Sequence, residues 1–339
     1  MISLLKHLLQ GQGEPPSSIP NDDLNSCIDL AVKQFDSRLS AIPGYRRKLK
    51  APVETALLFL DALIDRIPGP IEVSKSAYGA DPRVHAYFGS FEQIEHLFSH
   101  SRTFRDFRQN PAYFGLSHGY ALMIMSRQQK RRPGHRLNGD NIQYDVMQEV
   151  VVFSEHHLAA PAINERDTRK ALRTREFGHL VSEAEKRVAG HTERKAGLQR
   201  RRIQLQMKLK SLAAGAEPAD PAEEPPEFAG QTAASLSQQL RDTETEISKA
   251  SQSFKTINDY LDLLAEVIGN PAECCSLSIQ SDYLNRANVM VEEGSGNEIP
   301  YAEIRIGETR HHWVIVKYPL SEAVEQSSTA DLFHAVYDN

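Results

Sequence analysis

Two stretches decide the fold: FGHLVSEAEKRVAGHTERKAGLQRRRIQLQMKLKSL, residues 177–212, and LSQQLRDTETEISKASQSFKTINDYLDLLAEVI, residues 236–268. Counting alternately four and three from Phe177 meets Val181, Ala184, Val188, His191, Lys195, Leu198, Arg202, Leu205, Leu209 and Leu212. The same count from Leu236 meets Leu240, Thr243, Ile247, Ala250, Phe254, Ile257, Leu261, Leu264 and Ile268. A repeat of 3.5 residues aligns these side chains in one stripe that a lone helix leaves in water. Between the stretches lie residues 215–230, with four prolines and five acids, which continue neither helix. Two matched helices around a breaker predict an antiparallel coiled-coil hairpin over 164–270 with its tip at 215–230. A helix pair lying flat on the rest of the fold is the alternative. His191, Lys195 and Arg202 interrupt the apolar stripe, and closure near Pro221 places Arg202 beside Glu244 and Glu246.

Outward from the hairpin, both flanks read as β-structure. Residues 120–126 form a short apolar run, 127–139 a basic stretch punctuated by glycine, and 143–155 a segment rich in Tyr, Val and Phe. After the hairpin, residues 277–279, 288–291, 301–306 and 312–318 repeat that character. The β-rich domain is therefore expected from 116–163 and 271–320 together.

Residues 21–115 read as a helical bundle. Its first helix starts at Asn21 or Asp22 and carries Leu24, Ile28, Ala31, Phe35 and Leu39; its second opens at Pro52; its third is capped by Ser90 and runs through Phe104. Residues 1–20 are expected to be a loose arm and 321–339 a tail. The fold class is α+β: a helical bundle, a small, mostly antiparallel sheet or partly open barrel, and the inserted hairpin.

The chain has 339 residues, 40% of them hydrophobic, and a net charge of -6. That balance points away from wholesale binding to nucleic acid or membranes. No apolar run reaches the roughly 20 residues of a membrane helix, so no membrane partner is expected. Residues 1–10 lack the pattern of a secretory signal. Three cysteines make no disulfide framework, and the expected location is the cytoplasm. Charge is nonetheless polarised, with eight Lys and Arg against one acid over 101–136 and eight acids against one Arg over 216–246.

Motifs for chemistry are weak. Gly115-Leu116-Ser117-His118-Gly119 fits G-x-S-x-G, but Pro111 and its neighbours do not make the buried strand that a nucleophile elbow needs. Asp140 or Asp145 with His156 would be partners that no spacing selects. His96 and His100 sit one helical turn apart, and His156-His157 and His311-His312 are strand pairs whose members point to opposite faces. None completes a metal site, nor does Cys274-Cys275. Phosphate loops and dinucleotide fingerprints are absent from the sequence, and no cofactor is expected.

The expected function is therefore a non-enzymatic adaptor or assembly subunit that docks a protein partner through the coiled-coil hairpin, whose seam is formed by Val188, His191, Leu198, Arg202, Leu205, Leu209, Leu240, Ile247, Phe254, Ile257 and Leu261. The alternative is binding of nucleic-acid phosphates through 101–136, centred on Arg127, Lys130, Arg131, Arg132 and Arg136. A hydrolase using Ser117 or a histidine metal site ranks last.

Overall fold

A computed structural model describes residues 19–138, 141–214, 230–306 and 309–322. Residues 1–18 of the expected arm, 215–229 of the expected hairpin tip and 323–339 of the expected tail lie outside the described residues, while Ile19 is buried. The fold is α+β. Its contacts divide the chain into two compact units, one holding 56–179 and 271–322, the other 20–55 and 180–270. Segment 21–115, read above as one bundle, thus contributes helices to both units.

The first unit is built on an antiparallel sheet of β2 (His118–Asn138), β3 (Asn141–Ala162), β4 (Cys275–Leu284), β5 (Asn297–Ile306) and β6 (Thr309–Pro319) in the order β3-β2-β6-β5-β4, with β1 (Ile71–Glu72) joining β6 in parallel. Strands from both sides of the hairpin meet at β2 and β6, where His118 pairs with Pro319 and Met125 with His312. The two outer strands are drawn together as well. Val151 N–H donates to the Asn288 carbonyl at 2.9 Å, Met290 N–H to Glu149 at 2.8 Å, and Val291 N–H to Tyr283 at 2.9 Å. Residues 288–291, expected as a strand, serve as this bridge and make the sheet a partly open barrel.

Alternation along the strands sorts side chains to two buried faces. Met123, Met125, Val151, Phe153, Tyr301, Val314 and Val316 pack against α4 (Pro82–Tyr87), α5 (Phe91–His100) and α6 (Arg102–Gln109). Residues 70–90, between the second and third expected helices, hold β1, α3 (Lys75–Ala80) and α4; their helices are too short for periodicity to register. The expected third helix is two, because Ser101 accepts the Phe104 N–H and caps α6. Gly119 permits that packing: a Cβ there would stand 3.1 Å from the rings of Phe104 and Phe107.

Helix α2 (Tyr45–Ile64) begins two turns ahead of Pro52, which lies inside it. The extra turns bury Leu49 alongside Val53, and that burial outweighs the hydrogen bond proline cannot donate. Helix α1 (Asn21–Phe35) stops before Leu39, which is still buried because a 3₁₀ turn at Ser37–Ala41 carries it inward. In the second unit Gln34 donates to Ser182 at 2.9 Å, Lys48 pairs with Asp262, and Pro52 lies against Gly269. The hairpin base therefore shares a unit with residues 20–55.

The long helix α7 (Glu165–Ala213) has 49 residues, about 73 Å at 1.5 Å each. Its first turns dock on the end of α2, where Arg169 donates to the Ile64 and Ile67 carbonyls and Arg173 to Asp61 at 3.0 Å. One turn on, Glu176 is 2% exposed and neither carboxylate oxygen has a hydrogen-bond partner among the described residues. Burial raises its pKa from 4.5 to about 7, although Arg175 lies 3.8 Å away. Burial and the neighbouring Glu176 also push the Cys275 thiol up to about 12, so it stays protonated.

The folded protein therefore holds a proton on Glu176 that the unfolded chain releases near pH 4.5, and stability falls as pH rises from there to about 7. Glu176→Gln is expected to match the native protein in urea denaturation at pH 4 and to exceed it by about 3 kcal/mol at pH 8. Equal midpoints at both pH values would refute this.

Candidate interaction surfaces

The hairpin pairs α7 with α8 (Ala233–Gln252) and α9 (Ile257–Gly269). Its direction is antiparallel: Arg201 approaches Gln239 at 3.5 Å, Arg194 approaches Glu246 at 3.6 Å, and the His191 ring meets Phe254 edge-on at 4.8 Å. The counted positions are the covered ones. Leu205 and Leu236 are fully buried with Leu209 and Leu240 against them, while Val188, Leu198, Ile247 and Ile257 are half-buried. Leu212 is exposed.

Two expectations for the hairpin need correction. Arg202 is not the partner of Glu246, which Arg194 approaches; the arms are offset by about two turns from the expected register. Arg202 lies half-buried in the seam, with no partner for its Nε among the described residues. Nor is the second arm continuous. Phe254 adopts φ 54°, and Thr256 starts α9 with a capping box, its N–H donating to Asp259 at 2.7 Å. The signal was in the sequence, since Thr256 and Asp259 stand three apart ahead of an apolar run, but the uninterrupted 3.5-residue count masked it.

The basic segment is a β-ribbon. Beyond Met125 strand β2 leaves β6 and pairs with β3 alone, Lys130 opposite Val150 and Arg132 opposite Gln148. The Gly-punctuated stretch runs on as strand through Pro133-Gly134, and a Cβ on Gly134 would meet the end of the Gln148 side chain, which would have to move aside. Alternation divides the expected cluster between two faces. On one face Arg127 makes a bidentate pair with Asp282, both contacts 2.7 Å, and Arg131 lies 3.4 Å from Glu149. On the other, Lys130 and Arg132 are exposed and have no ion-pair partner among the described residues. Arg136 belongs to β2, and its side chain lies outside the described set. Tyr144 and Met147 on the facing strand are exposed.

Within the barrel Arg127, Asp282, Tyr301, Glu303 and His312 form a polar row, which sequence reading missed because its members come from four strands. Burial raises the Tyr301 pKa and lowers that of His312, whose Nδ1 donates to the Met125 carbonyl at 3.3 Å and whose Nε2 is 3.8 Å from Glu303. The hydroxyl of Ser117 lies 2.8 Å from His118 Nδ1, but the chain passes from loop into strand there, not from strand into helix as a nucleophile elbow does. No group of three His, Cys, Asp or Glu among the described residues is arranged to hold a metal ion, and no helix among them is long and apolar enough to cross a membrane.

Comparison with known proteins adds nothing to this geometry: no family model, curated protein or solved structure matches the chain significantly.

Leu205→Asp is expected to cost about 2–4 kcal/mol, read as a lower midpoint of helix melting. Arg127→Met should cost about 3 kcal/mol by stranding Asp282, and Arg127→Met with Asp282→Leu should recover most of that loss. A double variant no more stable than the single one would show that the pair does not stand as a unit.

Proposed function

We propose that the protein is a non-enzymatic interaction or assembly subunit of the cytoplasm that docks a protein partner through its helical hairpin. The observation that carries this reading is the distal part of α7. Ile203 and Met207, one turn apart, are 49% and 69% exposed, while Leu205 between them is buried against α8. An apolar row on the outside of a helix whose inner row is already satisfied offers the anchors that helix-mediated docking uses. All three cysteines are free and buried, which agrees with a reducing compartment.

A second reading is favoured by one observation, the unpaired Lys130 and Arg132 on one face of a two-stranded ribbon. A ribbon of that width fits a nucleic-acid groove, and unpaired cations would neutralise phosphates. Halving of the expected cluster by strand alternation makes this the weaker of the two.

Capture from cell extract with the full chain and with Ile203→Ser/Met207→Ser tests the first reading. Both substitutions are at exposed positions, so melting should be unchanged while a reproducible partner is lost; a partner retained at full yield would refute distal docking. Fluorescence anisotropy with single- and double-stranded oligonucleotides at two salt concentrations tests the second. It requires binding that weakens steeply with salt and with Lys130→Gln/Arg132→Gln, and we expect none near physiological salt.

A further inference from the structure

The outward side of distal α7 carries a pattern of its own. Arg200, Ile203, Met207 and Lys210 follow one another at intervals of three, four and three, so they line up along the helix as the seam residues do. At 3.6 residues per turn, Ile203 and Met207 each lie about 160° round the helix from Leu205, which is buried against α8. All four members of this outer stripe are exposed. The stripe spans about 15 Å, or three turns. Helix α7 thus has two stripes on opposite sides, and α8 covers only one of them.

The charges beside that stripe have a single sign. From Arg194 to Ala213 the helix holds seven Lys and Arg and no Asp or Glu. Arg194 is answered by Glu246 across the hairpin, and Arg201 approaches Gln239. Arg200 and Lys210, which bracket Ile203 and Met207, have no ion-pair partner among the described residues. No pair along the helix offsets them either. Gln204 and Gln206 stand four residues from Arg200 and Lys210, where an acid would support an isolated helix.

Resting on the docking reading above, we infer that the partner presents an acidic amphipathic helix. Its apolar side covers Ile203 and Met207, and its Asp or Glu side chains meet Arg200 and Lys210. Apolar anchors at helical spacing supply the contact, and the charges that flank them set partner choice and orientation. A second copy of this chain fits less well. Two copies meeting through this stripe would set Arg200 and Lys210 against one another, with no acid on either stretch of helix to relieve them. A nucleic acid would use the cations and leave Ile203 and Met207 in water. Charge beyond about 8–10 Å is screened at physiological salt, so this local basic stripe governs the encounter despite the chain's net charge of -6.

The test is fluorescence anisotropy on the full chain with three labelled peptides of about 20 residues, long enough to be helical. In the first, Leu recurs at intervals of three and four among Glu; in the second, Lys replaces Glu; in the third, Ser replaces Leu. The first should bind, and the second should bind about tenfold more weakly. Ile203→Ser/Met207→Ser should weaken the first by about tenfold. Arg200→Glu/Lys210→Glu should invert the preference, so that the Lys peptide binds better, whereas a merely disrupted helix would weaken both. All four positions are exposed, so the circular-dichroism melt should change little. Binding that needs Ile203 and Met207 but ignores peptide charge and Arg200→Glu/Lys210→Glu keeps the docking row and overturns its acidic partner. Binding unchanged in Ile203→Ser/Met207→Ser places the contact elsewhere and overturns both the inference and the reading beneath it. Equal binding of the first and third peptides assigns the stripe to a plain polyanion and overturns the inference. So does binding of none of the three, or a dimer in sedimentation that Ile203→Ser/Met207→Ser abolishes.

Discussion

The ladder between β2 and β6 is the constraint on which the first unit depends. It joins residues 118–125 to 312–319, segments separated by almost two hundred positions; β1, β3 and β5 attach directly to one of these two strands, and β4 is held through β5. Closing so long a loop is slow, and costly in entropy, unless the intervening chain is itself ordered. The helical hairpin provides that order. It leaves the sheet after β3 and returns at β4, so the chain between them is mostly helix stabilised by local contacts. Gly69, at φ 120°, marks how tightly the ladder is then sealed: a Cβ there would stand 2.2 Å from the Ile315 carbonyl, while the Pro68 carbonyl accepts the Ile315 N–H at 2.8 Å.

Polar groups along this frame fall into two kinds. Arg127 with Asp282, and Arg169 with the end of α2, satisfy buried or half-buried charge by geometry that fixes register. Glu176 has no such partner and takes the other route available to a buried carboxyl, which is to keep its proton. The unit thus carries a titrating group inside its core, on the same helix that leads into the hairpin.

The sequence was most legible where periodicity is long. The hairpin stripe was read position by position, and from Leu205 to Leu236 its buried members are those that the count names. Its interruption at residues 253–256 was hidden because Phe254 within the break and Ile257 after it keep the spacing of the 3.5-residue count. Boundaries set by single side chains, such as Ser101 between α5 and α6, outran periodicity altogether. The basic cluster shows a different limit. Composition sums charge along the chain, whereas a strand deals successive residues to opposite faces, so Arg127 and Arg131 fall into a paired set and Lys130 and Arg132 into an exposed one.

Charge polarity in this chain consequently has two physical meanings. Where a cation faces an acid across a strand or a helix pair, as Arg131 faces Glu149 and Arg194 faces Glu246, the exposed pair is worth little in stability but neutralises the surface. A cation left without such a partner keeps its field, and that field extends only about 8–10 Å into physiological salt. Lys130, Arg132 and Arg102 are of this second kind, and each sits on an exposed ribbon or groove wall rather than over a core. Selection for folding alone has no need of them there, since their removal exposes no apolar surface and strands no buried acid. The unpaired cations, more than the total charge, are therefore where the exposed positive field of the described residues is concentrated.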